Sequence, residues 1–115
     1  MRGPFFLRQR PRLLHCKAMP IAQLTLELRI EDAQSLKDRR QVLRSLKDRL
    51  REGFNVSVAE LDPSELWQTA TVGVVAISSS RDYLQGLMQQ VEAAAERIVA
   101  NHGAIISDSF MDFVD

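Results

Sequence analysis

A chain of 115 residues with 45% apolar and 26% charged side chains has the size and balance of one folded globular domain. The formal net charge is zero, yet residues 1–18 hold five basic groups and no acid, which leaves ten basic and fifteen acidic residues from Met19 onward. An acidic body excludes wholesale coating of nucleic acid, the single Cys16 excludes an internal disulfide, and no apolar run approaches the roughly 20 residues that span a bilayer.

The composition therefore points to a reducing, cytoplasmic setting with no membrane contact. Residues 1–19 read as a disordered basic extension, because the stretch has two prolines, no acid and no sustained periodicity. Three explanations stand for it: a start codon upstream of a true start at Met19, an organelle transit peptide, or a basic arm that touches RNA. His15 and Cys16 are adjacent in it, but a metal site needs three or four ligands and none converge nearby.

Residues 20–115 form the domain. From Ile21 to Ile30, Leu24, Leu26, Leu28 and Ile30 alternate with Gln23, Thr25, Glu27 and Arg29, the pattern of a half-buried strand. Ser35 then offers an N-cap to a helix running to about Glu52, with apolar positions 36, 43, 46 and 50 and Gly53 as its stop. Phe54, Val56 and Val58 alternate in a second strand that ends before Asp62-Pro63-Ser64, a turn sequence. Trp67 follows the turn and is either a core plug or an exposed stacking platform.

A third strand spans about Leu66 to Ser78, β-branched and small on both sides, as expected of a central strand. Ser79 and Asp82 have capping-box spacing ahead of Leu84, Leu87, Met88, Val91, Ala94, Ala95 and Ile98 at helical intervals, to about Asn101. Gly103 closes that helix, and Ala104 to about Phe113 supplies a last strand. The order β-α-β-β-α-β predicts an α+β, ferredoxin-like sandwich: a four-stranded antiparallel sheet with both helices on one face. The other face is left open. On the third strand it carries either Thr69, Thr71, Gly73, Val75 and Ile77 or the opposite set; neither is strongly polar, so part of it is expected to bury against a second subunit or a ligand.

Catalytic chemistry finds little material. His102 sits at a helix C-terminus, where a positive end complements the helix dipole, and Gly53, Gly73, Gly86 and Gly103 stand singly rather than in a phosphate-cradling loop. Glu27, Glu60 and Asp62 are dispersed over the strands. No catalytic residue, cofactor or metal ligand is expected, and the chain reads as a non-enzyme.

The first helix is the exception to this blandness. Residues 37–52 hold seven basic and three acidic side chains, and Lys37, Arg40, Arg44, Lys47 and Arg51 recur at intervals of 3, 4, 3 and 4. At about 100° per residue they occupy an arc of about 80°, a row without an internal acid on the side opposite the leucines. Arg39 falls instead at the angle of the apolar arc and is expected to reach the sheet edge or a loop carboxylate. A solvated face with one snorkelling arginine is the plain alternative to a binding surface. As binding residues, Lys37, Arg39, Arg40, Arg44, Lys47 and Arg51 would contact backbone phosphate rather than base edges, since no aromatics interleave them.

The stretches SLKDRRQVLRSLKDRLREGFNVSVAELD, residues 35–62, and LWQTATVGVVAIS, residues 66–78, resemble the YlxP-like family of small bacterial proteins of unknown function. The resemblance covers about residues 20–111. It implies a ferredoxin-like fold and a family often encoded beside translation and ribosome-maturation factors; it implies no reaction and carries over no catalytic residue. Lys37, Arg39 and Arg40 match its basic opening. Together these readings predict a ribosome- or RNA-associated accessory factor whose partner is ribosomal RNA or a ribosomal subunit; the alternative is a small-molecule-sensing or dimerisation module, a homodimer.

Overall fold

The structure is a computed structural model that describes residues 19–61 and 68–114. The expectations for the extension, for the Asp62-Pro63-Ser64 turn and for Trp67 fall outside the described residues.

The elements follow in the order β1 (Ile21–Arg29), α1 (Leu36–Gly53), β2 (Ser57–Glu60), β3 (Thr69–Ile77), α2 (Arg81–Ala100) and β4 (Ile105–Val114). The strands form one antiparallel sheet in the order β2-β3-β1-β4. Each helix carries the chain across one neighbouring strand, the ferredoxin-like arrangement. The described residues contain no helix long and apolar enough to cross a membrane.

The alternation in β1 decides where the core lies. Leu24, Leu26, Leu28 and Ile30 are almost completely buried and meet Val72 and Val74 of β3, Leu46 and Leu50 of α1, and Leu84, Met88, Val91 and Val99 of α2 in one cluster. Ser35 caps α1, its Oγ accepting from the Asp38 N–H at 3.2 Å, while Asp38 accepts in return from the Gln34 N–H at 3.0 Å. The first contact satisfies a donor that the first turn leaves without a helical partner, and the second ties the residue ahead of the cap to the helix.

Three boundaries differ from the sequence reading. The second strand, expected from Phe54 onward, begins only at Ser57, because Phe54 is the C-cap of α1 and the Val56 N–H turns back onto the Phe54 carbonyl at 3.0 Å. The α2 cap is Ser80, not Ser79: its Oγ accepts from the Tyr83 N–H at 3.1 Å, and Ser78, Ser79 and Ser80 in a row made the spacing ambiguous by one. Gly53 is the last helical residue of α1 rather than a left-handed stop, because Phe54 leaves directly into extended backbone with its N–H on the Leu50 carbonyl. Gly103 does take the left-handed conformation, at φ +74, where glycine avoids the Cβ penalty.

Candidate nucleic-acid interface

Helix α1 holds seven of the ten cations found from Met19 onward and three of the fifteen acids, so the rest of the domain carries three cations against twelve acids. Positive potential is thereby concentrated on one element of an acidic body. Lys37, Arg40, Arg44 and Arg51 are exposed and Lys47 is half-buried, in a row of about 21 Å from Lys37 to Arg51. Among the described residues, none of Lys37, Arg40, Arg44 and Lys47 forms an ion pair.

Arg51 fixes where that row lies. Its Nη2 donates to the Val58 carbonyl at 2.8 Å, on the edge strand β2, so the row flanks the core face on the β2 side instead of standing squarely opposite it. Asp48 approaches Arg51 only to 4.0 Å with both side chains more than half exposed, a pair worth less than about 1 kcal/mol. The Arg51 charge is not neutralised by it.

Arg39 is separated from the row by burial. Only 5% exposed, it lies on the same helical face as Leu43, Leu46 and Leu50, its Nε donating to the Thr69 carbonyl at 3.1 Å and its Nη2 to Glu60 Oε2 at 2.6 Å. It therefore joins the end of β2 to the start of β3, pinning both ends of the intervening connection. The sequence placed Arg39 on the apolar arc with a carboxylate in reach; that the carboxylate is Glu60 had no local signal, since 21 residues separate the two. Buried and paired inside the protein, the Arg39 guanidinium is not presented to an external phosphate.

The remaining cations have their own settings. Arg49 and Arg97 line a groove of about 630 Å³ where the C-terminal ends of α1 and α2 meet. Positive side chains there complement the carbonyl ends of both helices, which accounts for them structurally. Among the described residues no group of three or more His, Cys, Asp or Glu side chains converges, and His102 is exposed beyond the end of α2.

The uncovered sheet face is the second conspicuous surface. The register puts Thr69, Thr71, Gly73, Val75 and Ile77 of β3 on it, beside Ile21, Gln23, Thr25, Glu27 and Arg29 of β1. Phe110 and Val114 of β4 are nearly half exposed there, and Ile77 is 61% exposed. Leu61, just beyond β2, lies over Gly73 so closely that a Cβ on Gly73 would come within 2.8 Å of Leu61 Cδ1. Beside it is a depression of about 250 Å³ lined by Ala59, Leu61, Gly73 and Val75 among others. The sequence left two sets open for β3, and Phe110 and Ala59 drew no attention in it; only strand pairing brings these residues onto one surface.

Residues 21–107 match a family model described as "Protein of unknown function (DUF503)". A relative from Bacillus subtilis (strain 168), "Uncharacterized protein YlxP", is 41% identical over 64 residues, covering 56% of this chain and 70% of the relative. Among solved structures, Arabidopsis thaliana MSL1 superposes with a TM-score of 0.57 at 20% identity, over 80% of this chain and 35% of that one. Bacillus subtilis YXEP, described as a dinuclear metal binding peptidase from the M20 family, gives 0.55 at 13% identity, over 83% of this chain and 25% of its own. A C-terminal segment of the alpha subunit of aIF2 from Pyrococcus abyssi gives 0.51 at 9% identity, over 89% of this chain and 55% of that one. At such identities these structures show a shared fold alone.

Proposed function

The chain belongs to the DUF503 family, whose function is unknown, and for this member we propose an accessory role in the cytoplasm on ribosomal RNA, docked through the basic margin of α1. One observation carries the reading: Lys37, Arg40, Arg44 and Lys47 stand in a row, without ion pairs among the described residues, on a body that is otherwise acidic. A solvated helix surface gains weak stability by mixing signs, and this one forgoes that gain along about 15 Å, from Lys37 to Lys47. Such a row attracts phosphate through counterion release, and the acidic remainder repels the nucleic acid from every other approach. Binding is then oriented but not sequence-reading, because phosphate contacts position a protein without reporting base identity. The role is that of a binding module and uses no reaction centre.

The test is co-sedimentation with ribosomal particles, paired with fluorescence anisotropy on a structured ribosomal RNA fragment across a salt series. Four phosphate contacts predict a slope of log K against log salt of about −2.8 to −3.6, an affinity loss of about 50- to 150-fold between about 50 and 200 mM salt. Reversing three charges together, Arg40→Glu, Arg44→Glu and Lys47→Glu, should abolish co-sedimentation while leaving the circular dichroism of the fold intact. Unchanged binding by that variant, or a flat salt response, overturns the proposal.

A further inference from the structure

We infer that the open sheet face is a self-complementary surface for a second copy of this chain, with Phe110 of each protomer seated in the depression beside Ala59 and Gly73 of the other. The inference concerns the face away from the helices and is independent of the RNA reading.

Its first support is the division of that face into unlike halves. The charged residues on it, Glu27, Arg29, Asp108 and Asp112, all belong to β1 and β4, whereas β2 and β3 present only small, hydroxyl or apolar side chains. A two-fold axis parallel to the strands, between β3 and β1, lays β4 of one copy on β2 of the other and β1 on β3. Like charges are then kept from facing one another: Glu27 falls over Thr71, and Asp112, on the outer strand at the rim, over Ser57. An axis perpendicular to the strands would instead lay β1 on β1 and β4 on β4, charged strand on charged strand, which the wrong pairing of signs penalises.

The second support is shape. Phe110, 48% exposed, pairs with Thr25 in the row that also contains Gly73 and Ala59, so the axis sends a large ring toward the smallest side chains on the sheet. That position is the depression of about 250 Å³. Aligned sheets pack at about 30°, which displaces opposed residues at the outer strands by about one residue, and the depression runs on to Leu61 and Val75 to receive it. Ile21, Ile77 and Val114, neighbours in one row at the end of the sheet, extend the apolar contact.

Three strands of about 30 Å and β2 of about 13 Å, at about 4.8 Å spacing, present a projected face of roughly 490 Å² per copy. That is below the roughly 800 Å² per partner of a standard interface, so the dimer is expected to dissociate on dilution in the micromolar range. The helices stay outside, and the pair carries two α1 rows on opposite flanks.

The experiment is light scattering and analytical ultracentrifugation of the full chain over a concentration series, with Ala59→Glu and Phe110→Lys. Both positions are exposed or nearly half exposed, so the fold should survive, and circular dichroism checks this. Wild type should dimerise, and each variant alone should weaken dimerisation by about tenfold or more. Mixing the two variants should restore association, because the heterodimer keeps one native Phe110–Ala59 contact and sets the introduced lysine against the introduced glutamate at the other. A wild type that stays monomeric overturns the inference. So does a dimer indifferent to both substitutions, the outcome expected of pairing through the β4 edge, and so does a mixture that fails to associate.

Discussion

Replacing Arg39 by methionine keeps much of the aliphatic stem and removes the guanidinium, and the structure says what is left behind. The Glu60 carboxylate, its side chain 25% exposed, loses a 2.6 Å partner, and the Thr69 carbonyl loses a donor at 3.1 Å. Removing a charged hydrogen bond costs about 1.5–3 kcal/mol, and breaking a buried pair about 3–5 kcal/mol. Water reaches Glu60, so the lower part of the combined range applies, about 2–4 kcal/mol. In a domain of this length that corresponds to a fall in Tm of about 10–20 °C. Glu60→Gln, which keeps an acceptor and loses the charge, should cost less, about 1–2 kcal/mol. In the Arg39→Met background, Glu60→Leu should recover stability, since an apolar pair leaves no orphaned charge. Urea unfolding followed by circular dichroism of wild type, Arg39→Met, Glu60→Leu and the double variant measures all four corners of this cycle. A change below about 0.5 kcal/mol for Arg39→Met, or strict additivity of the two substitutions, refutes the reasoning. Below its Tm, Arg39→Met should bind RNA as wild type does, the converse of the Arg40, Arg44 and Lys47 charge reversals.

Two further expectations concern the helix ends. Ser35→Ala removes the acceptor for the Asp38 N–H and should destabilise by about 1 kcal/mol in urea unfolding, whereas Ser35→Asp should be nearly neutral. Gly103→Ala imposes a Cβ at φ +74 and within 2.6 Å of Asp32 Oδ2, so it should cost about 1–2 kcal/mol in the same assay, and Gly53→Ala, at a position with open space around it, should not destabilise.

How far the surfaces were legible depends on how local their signals are. The row Lys37, Arg40, Arg44, Lys47 and Arg51 is a property of one helix, so a spacing of 3 and 4 displays it without any knowledge of the sheet. Arg39 shows the limit of that reading. Its angle placed it on the apolar arc, but its grouping with the other cations as a binding residue rested on residue type, and only its partners, 21 and 30 residues away, reveal that it is used internally. The cap at Ser80 was missed by one residue because three consecutive serines offer equivalent chemistry, and the choice among them follows from where β3 delivers the chain.

By itself the sequence determined the order of elements, the buried face of β1, the α1 cap at Ser35 and the concentration of cations on one helix, since each depends on residues within a turn or two of one another. Tertiary structure decided the rest: which set of β3 residues faces outward, that the cationic row lies along β2, that Leu61 covers Gly73, and that Ala59 and Phe110, on opposite edge strands, belong to one face. Strand register and crossover direction relate residues that are distant in the chain, and a one-residue slip would exchange the two faces of a strand. The hydrophobic periodicity of β1 excludes that slip for one strand, and pairing with β1 then imposes it on β3 and β4.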